Sequence, residues 1–192
     1  MSSILKVDTI QNTGGNNLIT TDSNTTSIKN PNGTTGLAID SSGRVTQPAL
    51  PAWRVGRGSD FNITNGQAAT TVINYNITDD TNRNFFIQGG CTISSGVVTV
   101  PVTGLYCVAT SNRFDNIGGG YIVVRIVKNN ETDSSRGTYD IIGQPSNNYF
   151  TVGDTTIFPL AANDTMKVDY YVSSDTNFTL NLRSYFSGYL IG

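Results

Sequence analysis

The alternation of apolar and polar positions is clearest at the end of the chain, from Asn177 to Ile191. Phe178, Leu180 and Leu182 fall on one face of an extended segment, with Thr179, Asn181 and Arg183 on the other. That period of two marks a half-buried strand. From Ser184 onward both faces are apolar or aromatic: Tyr185 and Tyr189 on one, Phe186 and Leu190 on the other. A strand apolar on both faces needs cover on both, as a central strand of a sandwich or as one that a second subunit also covers. Gly188 sits inside this run, where a glycine weakens a strand unless something must approach closely. The run predicts one strand over 177–191, serving as core and interface.

The same period recurs upstream. Met166, Val168, Tyr170 and Val172 oppose Lys167, Asp169 and Tyr171, while Ile122, Val124 and Ile126 oppose Val123, Arg125 and Val127. The pattern predicts ten strands, at 69–76, 84–88, 91–93, 96–101, 104–111, 120–128, 138–142, 148–160, 164–173 and 177–191. Gly, Ser-Gly, Asn-Asn and Asn-Asp turns separate them. That strand density is that of a jelly-roll sandwich.

Residues 1–50 follow a different pattern. All 18 aromatic residues lie after position 50, and the aliphatics before it come in stretches of three or four between turn signals. Such stretches bury too little to offset backbone ordering alone. The segment is therefore either disordered or ordered by intertwining with copies of itself or docking on a partner; the regular strand-turn rhythm favours the second. Residues 37–45 read as a small hairpin. Pro48 and Pro51 stiffen a short linker, so the expected division is 1–50 and 51–192, with Trp53 sealing the base of the second domain.

Composition sharpens this reading. Asn (21), Thr (26) and Gly (20) are abundant and suit turns and the wet faces of sheets, so the fold class is all-β. Only 14% of residues are charged and the net charge is −2, which argues against a nucleic-acid partner. No apolar run reaches about 18 residues, so no membrane insertion is expected, and no export signal is visible. Cys91 and Cys107 could pair if their strands lie side by side; two buried reduced thiols are favoured.

Histidine is absent, which excludes Ser-His-Asp and Cys-His catalysis. Asp79, Asp80, Glu131, Asp133, Asp140 and Asp154 are scattered in expected turns rather than paired. No enzymatic activity and no cofactor are expected. Tyr121, Tyr139, Tyr149 and Tyr171 could stack on sugar rings, with packing between sheets or subunits favoured for each. Phe85, Phe86 and Phe114 are expected in the core. Arg125, on an otherwise apolar strand, either pairs across a subunit seam, lines an axis or faces solvent.

Five segments in order resemble the C1q/tumour-necrosis-factor-like jelly roll: Ile73-Asn-Tyr75-Asn, Val98-Thr-Val-Pro-Val-Thr-Gly104-Leu-Tyr106, Val124-Arg-Ile-Val-Lys128-Asn-Asn130, Leu160-Ala-Ala-Asn-Asp164-Thr-Met-Lys-Val168 and Tyr185-Phe-Ser-Gly-Tyr-Leu190. Asn130 and Asn163 stand where that family has glycine; asparagine also tolerates the left-handed conformation. The resemblance implies a homotrimer with the closing strand near the three-fold axis. Tyr106, Phe178, Tyr185, Phe186, Gly188, Tyr189 and Leu190 would form its interface and core motif. Some members bind Ca²⁺ near the axis, but no Asp-x-Asp-x-Asp loop supports such a site here.

Ser3-Ile-Leu-Lys-Val-Asp-Thr-Ile-Gln11, followed by Gly14-Gly15, is similar to the opening of virion fibre and tail-associated proteins of bacteriophages, cyanophages especially. Gly36-Leu-Ala-Ile-Asp40-Ser-Ser-Gly43-Arg-Val-Thr-Gln-Pro48 resembles the segment joining their stalk to a C1q-like knob. This implies a virion-surface protein, made in the host bacterial cytoplasm, attached to other virion proteins through Ile4, Leu5, Val7 and Ile10. Its knob would adhere to a host-surface glycan or protein. A capsid decoration or cement protein is the alternative, and a polysaccharide-depolymerase spike a remote one.

Overall fold

The computed structural model of the chain describes residues 9–22, 24–63, 71–115, 122–129, 138–142, 149–172 and 178–192. Among these there is no helix, and the chain divides into two compact units, Met1–Leu50 and Pro51–Gly192.

The first unit is an antiparallel meander of β1 (Thr9–Gln11), β2 (Asn17–Thr21), β3 (Thr25–Lys29), β4 (Thr35–Asp40) and β5 (Val45–Thr46), paired in that order. Three of its turns share one device. The side-chain Oδ1 of Asn12, Asn30 and Asp40 each accepts the backbone N–H groups two and four residues ahead, at 2.9–3.0 Å. Gly15, Gly33 and Gly43 close these turns with φ of 79°, 85° and 76°, a conformation that costs glycine nothing. Ile10, Ile19, Ile28 and Leu37 are direct cross-strand partners, so they form one aliphatic row across β1–β4. Ile39 and Val45 extend the same face. The opposite face carries Thr9, Thr20, Ser27, Ala38 and Thr46 in a row of small residues.

The second unit has thirteen strands among the described residues: β6 (Ala52–Gly56), β7 (Phe61–Ile63), β8 (Thr71–Val72), β9 (Phe86–Gln88), β10 (Thr92–Ser94), β11 (Val97–Thr99), β12 (Gly104–Asp115), β13 (Ile122–Lys128), β14 (Thr138–Ile142), β15 (Tyr149–Leu160), β16 (Thr165–Val172), β17 (Phe178–Leu180) and β18 (Tyr185–Leu190). One sheet runs β10-β11-β16-β13-β14, with β8 also on β16; the other runs β7-β17-β12-β18-β6-β9, with β15 on β12. Strand β12 is the spine of this second sheet. It pairs with β15 along its whole length on one edge and with β17 and β18 on the other.

The two sheets meet in a single core, a jelly-roll sandwich. The inward face of the first sheet supplies Val98, Ile122, Val124, Ile126, Met166, Val168 and Tyr170. The second supplies Trp53, Val55, Tyr106, Val108, Phe114, Phe178 and Phe186. Aromatic rings join the layers, with Tyr170 edge-on to Phe178 at 5.8 Å and to Phe114 at 6.4 Å.

Several sequence expectations change. The run 177–191 is two strands, because Asn181–Ser184 forms a turn: Ser184 N donates to the Asn181 carbonyl and Arg183 N to Asn181 Oδ1, both at 3.0 Å. Among the described residues of segment 69–76, strand pairing is confined to Thr71–Val72. Strands β6 and β7 lie where none was expected, since Gly56, Gly58 and Asp60 interrupt the alternation there. Trp53 does not seal a domain base but lies 1% exposed at the core's centre, 5.6 Å from Phe186 and 6.3 Å from Tyr106. Phe85 and Phe114 are core, whereas Phe86 faces outward, because it directly follows buried Phe85 along the chain. Asp154 lies in strand β15 and Asp140 in β14 rather than in turns; Glu131 and Asp133 fall outside the described residues.

Asn163 adopts the left-handed conformation with φ 72°, as its place in the glycine position of that turn requires, and Asn129 does so with φ 49°. Asn130 falls outside the described residues.

Candidate functional site

The outward face of the β12 sheet is built in cross-strand rows. One row reads Gln88, Ala52, Tyr189, Cys107, Ile157 across β9, β6, β18, β12 and β15. Beside it, Leu105 opposes Pro159, and Ile191 donates its N–H to the Leu105 carbonyl at 2.8 Å. Leu105, Ile157, Tyr189 and Ile191 are each 47–58% exposed, and these two rows contain no charged side chain. The next row, Phe86, Arg54, Ser187, Ala109, Thr155, begins the polar half of the face. Further along, Arg113 pairs with Asp115 at 2.7 Å and lies 4.6 Å over the Tyr149 ring.

The closing strand divides between this face and the core. Phe186 and Gly188 point inward and are buried, with Leu190 half-buried against the core; Tyr185, Ser187 and Tyr189 point outward. Tyr106 and Phe178 are core residues, and the Tyr106 hydroxyl donates to the Val102 carbonyl at 2.9 Å. The close approach at Gly188 comes from within the chain: a Cβ there would lie 2.3 Å from Trp53 Cζ2. Tyr185 lies under the Arg54 guanidinium, 4.0 Å from ring centre to Cζ. Of the attachment residues, Ile10 begins the aliphatic row of β1–β4, while Ile4, Leu5 and Val7 fall outside the described residues.

Leu105, Ile157 and Ile191 belong to the apolar face and were not singled out from the sequence, and Cys107, also on it, was considered only as a buried thiol. The signal was present in β12, where Leu105, Cys107 and Ala109 alternate with Tyr106, Val108 and Thr110, so that both faces are largely apolar as in β18.

Both cysteines are free. Burial pushes the Cys91 thiol up to about 11, so it stays protonated. Cys107 is half-buried on the outer face instead, and its hydrogen bond and charge raise the ionisation of neighbouring Tyr189 above the ordinary tyrosine value. Arg125 pairs within its own sheet: Nε and Nη2 donate to the buried Asp169 carboxylate at 2.7 and 3.0 Å. Among the tyrosines considered for sugar stacking, Tyr149 is 60% exposed and Tyr171 half-buried. Tyr121 lies outside the described residues, as does the side chain of Tyr139. Among the described residues, no group of three or more acidic or cysteine side chains could hold a metal ion.

No protein-family model matches the chain, and no curated protein matches it in sequence. Its fold is similar to that in the crystal structure of murine APRIL at pH 5.0, with a TM-score of 0.53 over 74% of this chain and 99% of that one, at 13% identity. That likeness shows the fold alone, a jelly-roll sandwich shared with that structure.

Proposed function

We propose that the chain is a homotrimeric structural protein of a bacteriophage virion. In this reading residues 51–192 are a knob that adheres to the host surface, and residues 1–50 attach it to other virion proteins. The observation that carries the proposal is the uncharged apolar half of the β12 sheet's outer face. Four large side chains half-exposed in adjoining rows mark an interface, because scattered exposure is ordinary but a contiguous patch is not. Completing the burial of each gains about 1 kcal/mol, given that full burial gains about 1.5–3 kcal/mol. The aliphatic row of β1–β4 supports the second half of the reading, since a single-layer sheet with one apolar face requires cover. The virion assignment itself rests on the resemblance of residues 3–15 and 36–48 to phage fibre proteins.

Adhesion in this architecture is a binding function without turnover. Three identical weak sites per trimer, and several trimers per particle, raise avidity without any tight single contact.

The test is competition. Purified full-length protein should block adsorption of the phage to its host in a dose-dependent way. Failure to block, together with trimers placed over the capsid shell in a virion reconstruction, would replace adhesion by a decorating role.

A further inference from the structure

Next to the Arg54–Tyr185 stack lies a cavity of about 210 Å³ lined by Arg54, Arg83, Phe85, Leu182, Arg183 and Tyr185. Three of its six lining side chains are arginines and none is acidic, in a chain whose net charge is −2. The three cations are held differently. Arg83 is engaged, with Nε on Asp80 at 2.7 Å and Nη1 on the Arg57 carbonyl at 2.9 Å. Arg54 sits over the Tyr185 ring, Cζ 4.0 Å from its centre, and its buried Nε donates to no acceptor. Arg183 is exposed on the turn before β18, and that turn is itself pinned: Leu182 N donates to Asp60 Oδ1 at 2.7 Å. Among the described residues, neither Arg54 nor Arg183 has a carboxylate partner.

We infer that this cavity is a binding site for the carboxylate of an acidic saccharide unit. A guanidinium stacked on a ring is pre-oriented, and its edge presents parallel donors that fit a carboxylate in bidentate fashion. The site is smaller than the roughly 300–1,000 Å³ of pockets that take drug-sized ligands, which restricts it to about one sugar ring. Phe85 and Leu182 supply an apolar wall for the ring's C–H face. An anion in the cleft would pair with the outer guanidinium edges of Arg54 and Arg183, neither of which has a carboxylate partner among the described residues. The inference rests on the adhesion reading above and names the ligand chemistry of that knob.

Calorimetric titration of the full-length protein with D-glucuronate, D-glucose and inorganic phosphate tests it. Glucuronate should bind saturably and at least about tenfold more tightly than glucose, the factor expected for one charge-assisted contact. Arg183→Ala, at an exposed turn, and Arg54→Ala should each weaken glucuronate by about tenfold with unchanged melting temperature for the first. Arg44→Ala, which removes the same charge from the other unit, should leave it unchanged. Glucuronate no better than glucose, or Arg183→Ala binding like the wild type, overturns the site. Phosphate binding as tightly as glucuronate overturns its sugar specificity. If glucuronate binds as expected but the protein fails to block host adsorption, the adhesion reading falls and the site stands. If adsorption is blocked equally by wild type and Arg183→Ala and glucuronate does not bind, the site falls and adhesion stands.

Discussion

Asp164 shows how a single side chain ties two turns together. Its carboxylate accepts Asn129 Nδ2 at 2.7 Å, the Lys128 ammonium at 2.9 Å and the Ala161 N–H at 2.8 Å. The hydrogen bond from Asn129 is the largest cause that holds its ionisation down to about 2, from an ordinary value of 3.8. A carboxyl depressed in the folded state contributes stability above its unfolded value, and that contribution is lost as the pH falls through the folded value. Thermal unfolding should therefore show the wild type losing its advantage over Asp164→Asn between about pH 4 and pH 2. A difference between the two that persists undiminished at pH 2 would contradict this account. Gly188 is a second case. Its neighbour is the Trp53 ring of the same chain, so Gly188→Ala should cost about 1–3 kcal/mol in denaturant unfolding by overpacking. Combining it with Trp53→Phe should recover part of the loss, which a clash with a neighbouring subunit would not.

Among the elements, the long strands were legible and the short ones were not. Strands β12, β13, β15 and β16 alternate over seven residues or more, so their inward faces could be read directly from the order of residues. Strands β6 and β7 are five and three residues long, and their identity depends on partners more than a hundred positions away, β18 and β17. The break at Asn181–Ser184 was hidden for a related reason: the alternation of Phe178, Leu180 and Leu182 passes through it, and beside its local bonds the turn is held by Asp60 and Asp115, both distant in sequence. Half of the candidate face was readable, since Tyr185 and Tyr189 stood out in β18. Leu105 and Ile157 were not, because an apolar residue in a strand gives no sign of facing outward until its neighbours are placed. In the first unit the aliphatic row depends on cover from outside the sheet. A peptide of residues 1–50 alone should accordingly show no cooperative thermal transition by circular dichroism, because its ordering cost exceeds what an uncovered five-stranded sheet recovers. A sharp transition at low concentration would show the segment to be self-sufficient.

For the whole molecule, the proposed assembly would use the outward side of β18, while its inward side belongs to the core. The proposed trimer corresponds to a mass of about 62 kDa in light scattering, three chains of 20.6 kDa each. Ile157→Asp should reduce this to the single-chain mass while preserving the near-ultraviolet dichroism of the core, because that side chain is 58% exposed in the lone chain. Phe186→Asp, fully buried beside Trp53, should abolish the fold itself. A 62 kDa species that survives Ile157→Asp would exclude this face from the assembly. The hairpins of the first unit have a consequence for length. Ile10, Ile19, Ile28 and Leu37 recur every nine residues, and each nine-residue step adds one strand and one turn while keeping the aliphatic row in phase. Inserting one such step reverses the direction in which the chain leaves the sheet, and inserting two restores it. The width of the sheet is therefore open to change in pairs of nine-residue units that keep both the aliphatic row and the exit direction.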